Sequence, residues 1–539
     1  MDNQQKKGYF WIPIALTAGI VAGLFIGRYI ITSHRTPGEE KLHALLGLIN
    51  KDYVDEVNLD SLIDYGLPQI LAYLDPHSAY MTPEEMIAAN HELASSFSGV
   101  GVQFMQQNDS VTVVEVVTGG PADKVGLMAG DRIVSADGKS LVGPQVTSDV
   151  VFKALRGKAG TKVKLKVKRS SSSKLLDFDV TRGEVPQTSI DGAYMMDKET
   201  GYLRVGKFAQ DTFTEFLNAL GDLQSKGAGK FIIDLRGNTG GFMDQAIMMA
   251  NEFLPKGRMI VYSKGRSREN ETTAVSDGNG IFQDCELTVI TNEYSASAAE
   301  IFAGAIQDND RGLVIGRRTF GKGLVQNQTI FPDSSAVRLT VARYYTPSGR
   351  CIQKEYSRGK AGTYDMDIIE RYNHGEFYSA DSIKLDKSKR FHTFGGRTVY
   401  GGGGIMPDIF VPEDTSGYTS YYVAILNKGL LQDYSFRLAD SYRTLAKNVT
   451  SVTQLERMLP RDQTLLENFV AYAAKKGVPA RWYYINQSRQ LILLQLKALV
   501  ARDLLGIPYY FEIINRHDPA VKKAYNTLKQ GKSPKVIRK

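Results

Sequence analysis

Ser297 and Lys322 are the two residues whose types and surroundings indicate covalent chemistry. Ser297 stands in "NEYSASAAE", between a predicted buried strand and a helix rich in alanine and glycine, where a hydroxyl can be exposed beside a helix N-terminus. A serine needs a base, because its own pKa is far above neutral, and the histidines offer no evident candidate in this region. Lys322 lies between two glycines in an apolar stretch, and burial would lower the pKa of its amine so that it could accept the proton.

A second interpretation of the lysine segment is a phosphate-binding loop. The stretch "GRRTFGKG", Gly316 to Gly323, approaches the pattern G-x-x-x-x-G-K-[ST]. It has Gly323 where that loop needs a hydroxyl for Mg²⁺, and the residues that follow are strand-like with Pro332 among them, whereas a P-loop opens a helix. Nucleotide binding is therefore not expected.

Two other enzyme motifs are incomplete. "HELAS" at His91 lacks the second histidine of H-E-x-x-H, so a zinc peptidase is not indicated. The pattern G-x-S-x-G does not occur, which argues against a hydrolase with that nucleophile turn.

The hydrophobic pattern divides the chain into segments of different structure. Residues 36–95 are predicted to be helical, residues 96–183 have the period-two pattern of strands, and residues 184–412 alternate strands with helices as in an α/β core. In the third segment, "GKFIIDLRGNTGG" indicates a buried strand that runs into a glycine-rich turn. Residues 413–539 are predicted to be helical and carry no motif to which chemistry can be attached.

The N-terminal residues predict a membrane anchor within residues 1–35. The stretch from Gly8 to Gly27 contains no charged residue and is long enough to span the hydrocarbon core of a bilayer. A cleavable signal peptide is the alternative, and the flanking charges do not fix the orientation.

Charge and cysteine content exclude some functions. The formal net charge is +8, but much of the excess lies in the C-terminal tail, so nucleic-acid binding is not expected. Cys285 and Cys351 are the only cysteines, without a C-x-x-C pattern or a histidine cluster beside them, so a zinc site is not indicated. Their redox state stays open.

Residues 96–183 resemble a PDZ domain, whose strands and helices recur here in order. "SGVGV" takes the place of the loop whose backbone N–H groups bind the carboxylate of a peptide C-terminus. Glycines let backbone donors converge on an anion, and the adjoining strand edge can pair with an extended peptide. The resemblance implies that peptide binding involves Gly99, Val100, Gly101 and Val102.

A wider set of motifs resembles the carboxyl-terminal processing peptidases, also called tail-specific proteases. Lys322 follows Ser297 by 25 residues, and Gln326 follows Lys322 by four. This spacing matches the serine–lysine site of that family and selects Ser297 over Ser295. The resemblance covers about residues 37–412. The motifs that stand in the family's order are "LDPHSAYMTPEE", "LRGKAGTKVKLKVKR", "DLRGNTGG", "SASAAE", "FGKGLVQ", "ARYYTPSGRCIQ" and "GGGGIMPDIFVP".

The resemblance implies a role for each site residue. Ser297 would attack the scissile carbonyl, and Lys322 would take its proton and later give it to the leaving amine. Gln326 would hydrogen-bond Lys322 and hold its amine toward the serine. Glu300 is expected to cap or orient the start of the following helix. The oxyanion hole would consist of the backbone N–H groups of Ala298 and of Gly240 or Gly241.

The same resemblance implies the architecture and the function. The expected fold is an α/β catalytic core of the ClpP/crotonase type with a mixed sheet, an inserted PDZ domain, an N-terminal membrane anchor and a helical C-terminal extension. The expected activity is that of a serine endopeptidase that recognises the C-terminal tails of extracytoplasmic proteins, without a metal or organic cofactor. It would lie in the bacterial cell envelope, anchored in the membrane with its catalytic domains on the periplasmic side. The substrate, an adaptor and homo-oligomer formation stay open.

Overall fold

A computed structural model of the chain describes residues 17, 19, 20, 36–94, 96–107, 110–532 and 534. It divides into two compact units, residues 1–73 and 74–539. The anchor predicted within residues 1–35 lies outside the described residues, apart from Thr17, Gly19 and Ile20. In the part of the chain that the structure describes, no helix has the length and apolar character needed to cross a bilayer.

Capping boxes start the helices at both ends of the first predicted segment. The helix α1 (Pro37–Asp52) begins after Thr36, and α2 (Leu59–Ala72) follows it in the first unit. In the second unit, strand β1 (Ala79–Met81) precedes α3 (Pro83–Leu93). The hydroxyl of Thr82 accepts a hydrogen bond from the N–H of Glu85, whose carboxylate accepts one from the N–H of Thr82. Pro83 follows Thr82, so α3 begins with a capping box and a proline in its first turn.

The segment that resembles a PDZ domain is an antiparallel sheet flanked by two short helices, with strand order β3-β4-β5-β7-β8. In β7, lysine alternates with valine and leucine, so one face of the strand is apolar and the other is charged. Val163, Leu165 and Val167 are buried, and the lysines point to solvent. The elements are β2 (Ser96–Gly99), β3 (Val102–Gln107), β4 (Ser110–Val116), α4 (Pro121–Lys124), β5 (Arg132–Ala136), β6 (Lys139–Ser140), α5 (Ser148–Leu155), β7 (Lys162–Lys168), β8 (Leu176–Thr181) and β9 (Gly183–Pro186).

The segment predicted to be an α/β core is built on a mixed sheet. Its strand order is β10-β11-β12-β15-β16-β21, in which β10 is antiparallel to β11 and the other neighbours are parallel. The first elements of this region are β10 (Ile190–Met195), β11 (Thr200–Val205), α6 (Thr212–Ser225), β12 (Lys230–Asp234), α7 (Met243–Asn251), β13 (Met259–Gly265), β14 (Thr273–Val275), β15 (Glu286–Thr291), α8 (Ala298–Asp308) and β16 (Leu313–Gly316).

A second sheet holds the lysine segment. Its order is β1-β18-β13-β14, and β17 pairs with β18 as a hairpin, so the residues that follow Lys322 form a strand as the sequence predicts. The remaining elements of the core are β17 (Leu324–Ile330), β18 (Ala336–Tyr345), α9 (Ala361–Asp365), α10 (Asp367–Asn373), β19 (Arg390–His392), β20 (Thr398–Tyr400) and β21 (Ile409–Phe410).

The C-terminal helices complete the fold. Buried residues of α6, α7 and α8 form one core on the mixed sheet, and the last helix packs against the side chains of Tyr202, Ile232, Ile290 and Ile315 from the same sheet. These helices are α11 (Ser420–Asn427), α12 (Leu430–Tyr442), α13 (Val452–Met458), α14 (Asp462–Lys475), α15 (Trp482–Leu505), α16 (Ile507–Ile514) and α17 (Pro519–Lys529).

Ion pairs tie the C-terminal helices to the rest of the second unit. Asp518, the N-cap of α17, pairs with Arg236 at 2.6 Å, directly before the glycine-rich turn of the core. Asp433 in α12 pairs with Arg132 of β5 at 3.0 Å. The helical region therefore contacts both the α/β core and the segment that resembles a PDZ domain, although it carries no motif of its own.

Candidate active site

Ser297 is the residue immediately before α8, where the chain leaves the loop after β15. Its backbone φ is +56° and its ψ is −116°, a conformation that residues with a side chain rarely adopt and that costs about 1–3 kcal/mol. Every residue of α8 is buried, so the surrounding core can hold Ser297 in this conformation. Such strain is concentrated at functional sites.

Glu300 joins the segment of Ser297 to the segment of Lys322. Its buried carboxylate accepts hydrogen bonds from the N–H groups of Ser297 at 2.9 Å, Lys322 at 2.8 Å and Gly321 at 2.8 Å, and from the hydroxyl of Thr319 at 2.5 Å. Burial raises the pKa of Glu300 to about 7, although the four donors act in the opposite direction. The residue expected only to cap or orient a helix thus fixes the distance between the two candidate catalytic segments.

Lys322 has the environment of a base. Burial lowers the pKa of its amine, and the positive charge of Arg338 lowers it further, while the carboxylates of Glu300 and Asp75 raise it. The net direction is downward, as the apolar flanking residues predict. The hydroxyl of Tyr344 lies within hydrogen-bond distance of the backbone carbonyls of both Ser297 and Lys322, so β18 supports the same pair.

Ser297, Lys322 and Gln326 line one cleft of about 720 Å³. The glycine-rich turn after β12, residues of β17 and β18 and the C-terminal half of α3 also line it. The side-chain amide of Gln326 donates a hydrogen bond from Nε2 to the backbone carbonyl of His77 at 2.7 Å. The predicted hydrogen bond between Gln326 and Lys322 does not occur among the described residues, and the amide oxygen of Gln326 has no other donor there.

The glycine-rich turn lies directly against the serine. A Cβ atom on Gly240 would lie 2.7 Å from the Cβ of Ser297, and Gly240 has a φ of +105°. The N–H of Gly240 donates to the side-chain oxygen of Asn238 at 2.8 Å. Among the described residues, the N–H groups of Gly241 and Ala298 meet no protein acceptor. Two of the three predicted donors are therefore available to a ligand in this conformation.

The loop that resembles a PDZ carboxylate site also has backbone N–H groups that are available to a ligand. Val100 and Gly101 lie between β2 and β3, and their N–H groups donate to no protein acceptor within the described ranges. Gly101 has a φ of +82°, which favours glycine at this turn. Its neighbour β3, which begins at Val102, is an edge strand of the sheet, and Gly99 is the last residue of β2.

Local contacts bear on two questions that the sequence leaves open. Ser295 is fully buried and its hydroxyl donates to the carbonyl of Leu235 at 2.8 Å, so its role is structural. Cys285 and Cys351 are both free thiols.

Sequence reasoning did not identify Asp75, His77, Arg338, Tyr344 or Tyr364 as neighbours of the site. Asp75 and His77 belong to "LDPHSAYMTPEE", and Tyr344 belongs to "ARYYTPSGRCIQ", both of which stand among the motifs shared with the family. Those motifs were the available signal. No spacing within them indicates which side chain approaches Lys322, because the contacts join distant parts of the sequence, as in the 249-residue separation of His77 and Gln326.

Comparison with known protein families matches three parts of the chain. The model of peptidase family S41 matches residues 199–362, that of the PDZ domain matches residues 98–181, and a family of unknown function matches residues 421–506. The PDZ resemblance is thereby confirmed for the segment between the first helices and the core, and the mixed-sheet core is that of an S41 peptidase.

Individual relatives extend these matches. A probable CtpA-like serine protease of Staphylococcus haemolyticus is 31% identical over 430 residues, which cover 77% of this chain and 82% of the relative. The carboxy-terminal processing protease CtpA of Bacillus subtilis is 32% identical over 360 residues, covering 66% of this chain and 76% of the relative. The solved photosystem II D1 C-terminal processing protease is 28% identical, with a TM-score of 0.33, over 59% of this chain and 91% of that chain.

A solved PDZ domain is also similar to part of this chain. It comes from a carboxy-terminal protease of Vibrio cholerae in complex with a peptide, and it is 28% identical over 17% of this chain and 99% of its own length, with a TM-score of 0.16. The length and identity of the two bacterial relatives decide the assignment. The chain belongs to peptidase family S41 and is a serine protease of the carboxy-terminal processing type.

Proposed function

We propose that this protease cleaves peptide bonds with Ser297 as nucleophile and Lys322 as general base. The observation that carries the proposal is the buried carboxylate of Glu300, which accepts hydrogen bonds from the backbone N–H groups of both residues and so fixes their separation. Lys322 is neutral when it takes the serine proton, which its lowered pKa supports. The protonated amine then gives that proton to the leaving amine of the substrate.

The oxyanion hole consists of the N–H groups of Ala298 and Gly241. Both meet no protein acceptor in the described part of the chain, whereas the N–H of Gly240 is already donated to Asn238. Two backbone donors aimed at one point stabilise the negative charge of a tetrahedral intermediate. Gly240 contributes by its lack of a side chain, which lets the turn approach Ser297.

The PDZ domain selects substrates by their C-terminal tails. The N–H groups of Val100 and Gly101 are available to a carboxylate, and β3 offers an unpaired edge to an extended peptide. The bound peptide in the Vibrio cholerae PDZ domain supports the same mode. The substrates are extracytoplasmic proteins of the bacterial envelope, a proposal that rests on the uncharged segment Gly8 to Gly27.

The test is cleavage of an unstructured protein with an apolar C-terminal tail by purified variants. Ser297→Ala and Lys322→Ala should each abolish the appearance of fragments without changing the circular dichroism spectrum. Ser225→Ala and Lys226→Ala, at the exposed end of α6, serve as matched controls and should cleave normally. Normal cleavage by either site variant would refute the proposed pair.

Recognition of the tail is tested separately. The wild-type protein should cleave a substrate with a free C-terminus faster than the same substrate amidated at its C-terminus, because the amide removes the charge that the loop binds. Equal rates for the two substrates would refute carboxylate recognition but leave the Ser297–Lys322 proposal intact.

A further inference from the structure

The turn "DPHS" before β1 is fixed to the strand that carries the cleft wall. The carboxylate of Asp75 accepts hydrogen bonds from the N–H groups of His77 and Ser78, each at 2.9 Å, and from the hydroxyl of Ser78 at 2.5 Å. It also accepts one from the hydroxyl of Thr340 in β18 at 3.0 Å. Asp75 is 6% exposed, so the turn is held by buried bonds rather than by surface contacts.

The backbone of His77 determines how the amide of Gln326 is oriented. Its carbonyl accepts a hydrogen bond from Nε2 of Gln326 at 2.7 Å. A primary amide has one donor end and one acceptor end, so this bond turns Oε1 away from His77. Oε1 is then the atom that can accept a hydrogen bond from the amine of Lys322, leaving the lone pair of that amine for the proton of Ser297.

The imidazole of His77 joins a series of hydrogen bonds that leads to the segment of Lys322. Its Nε2 lies 2.9 Å from the hydroxyl of Tyr364, and the two rings meet edge to face with centroids 5.1 Å apart. The hydroxyl of Tyr364 accepts a hydrogen bond from Gln353 at 3.3 Å, and the side-chain oxygen of Gln353 accepts one from the N–H of Gly323 at 2.8 Å. A chain of side chains thus runs from His77 to the residue next to Lys322.

His77 acts here as a neutral group. Burial lowers its pKa to about 4, and the positive charges of Lys322 and Lys354 lower it while Asp75 raises it. Tyr364 accepts a hydrogen bond from Gln353, so its own hydroxyl hydrogen is available to Nε2 of His77 when the imidazole is the tautomer protonated at Nδ1.

We propose that His77 is a positioning residue for the base of this protease. Its carbonyl orients Gln326, and its imidazole holds the Lys322 segment through Tyr364 and Gln353. The proposal rests on the proposed function of Ser297 and Lys322, and it adds an element from a distant, earlier part of the sequence.

The experiment is a double-mutant cycle on kcat and KM with a quenched fluorescent peptide that carries a free apolar C-terminus. His77→Ala and Tyr364→Phe should each lower kcat about tenfold and leave KM nearly unchanged. A loss of this size is expected when one hydrogen bond that positions a catalytic group is removed. The double variant should be no slower than His77→Ala, because both changes break the same link. His77→Gln, whose side-chain oxygen can accept from Tyr364, should recover part of the loss.

The controls separate this proposal from the proposed function and from simple destabilisation. His392→Ala, at an exposed position of β19, should have the kcat of the wild type. Tyr364→Phe keeps the ring and its packing, so its circular dichroism spectrum and melting temperature should match those of the wild type closely.

Three results would overturn the proposal. If Ser297→Ala is inactive while His77→Ala and Tyr364→Phe have the kcat of the wild type, the positioning role is wrong and the proposed base stands. Multiplicative losses in the double variant would refute the link through the Tyr364 hydroxyl. Cleavage by Ser297→Ala would refute the proposed function, and the role of His77 with it.

Discussion

Replacing Gly240 by alanine should increase the separation between Ser297 and the glycine-rich turn without removing any proposed catalytic group. Gly240 has a φ of +105°, and a Cβ built on it would lie 2.7 Å from the Cβ of Ser297 and 2.9 Å from the carbonyl oxygen of Ala296. Its Cβ would also lie 3.1 Å from the backbone nitrogen of Ala298. The added methyl group would therefore press on both the serine and a proposed oxyanion donor.

The size of the effect follows from these distances. Carbon atoms in contact prefer a separation of about 3.5–4.0 Å, so Ser297 and the turn would have to separate by about 1 Å. The helix behind Ser297 is buried throughout, so the serine cannot recede into space and the turn must tilt. A misplacement of about 1 Å between reacting groups costs about 100-fold in rate. The unfavourable φ would lower stability by about 1–3 kcal/mol in addition.

The assay compares Gly240→Ala with a control in the same turn. Gly237 also has a positive φ, of +75°, but a Cβ on it would meet only an Arg204 nitrogen at 3.5 Å, an ordinary contact. Gly237→Ala therefore carries a similar backbone cost without moving the serine. Steady-state cleavage of a fluorescent peptide should show kcat reduced about 100-fold in Gly240→Ala relative to Gly237→Ala, with both proteins folded by circular dichroism.

Equal values of kcat in the two folded variants would refute the reasoning. That result would mean that the turn can move away from Ser297 without affecting the reaction, and that the close approach of Gly240 has no catalytic consequence. An equal reduction of kcat in both variants would instead indicate that backbone strain alone causes the effect.

Two further predictions concern charge and domain contact. The kcat should rise with pH through the lowered pKa of Lys322, because the amine must be neutral to accept a proton. Asp75 raises this pKa and Arg338 lowers it, so Asp75→Asn should move the rise of kcat to lower pH and Arg338→Gln should move it to higher pH. A rise that stays at the same pH in both variants would contradict the assignment of Lys322 as the base. Asp433→Ala leaves Arg132 of the PDZ domain without its 3.0 Å partner, so hydrogen exchange of residues 129–132 should accelerate about tenfold, and unchanged exchange would show that this ion pair does not hold the domain.

The sequence indicates Ser297 and Lys322 as the proposed reactive residues because their signals are local or depend on a spacing that matches the family. Ser297 follows a buried strand and precedes a helix of small residues, and Lys322 lies between glycines among apolar residues. The residues after Lys322 are strand-like and include Pro332, which argues against the helix that a P-loop opens. These features are properties of short segments, so one chain suffices to identify them.

The tertiary structure decided which side chains control those residues. Glu300 lies one turn after Ser297, but its contacts with Gly321 and Lys322 arise because β15 and β16 bring their loops to the same edge of the sheet. The choice between Gly240 and Gly241 as donor depends on a single hydrogen bond to Asn238.

Contacts between residues that are far apart in the sequence depend on the fold even more strongly. His77 approaches Gln326 from a separation of 249 residues, and Asp518 reaches Arg236 from a separation of 282 residues. No periodicity or motif in one sequence encodes such pairs, because each partner satisfies its own local pattern with or without the other. The chain alone determined the chemistry that Ser297 and Lys322 can perform, and the packing of distant segments around them decided their geometry and their charge environment.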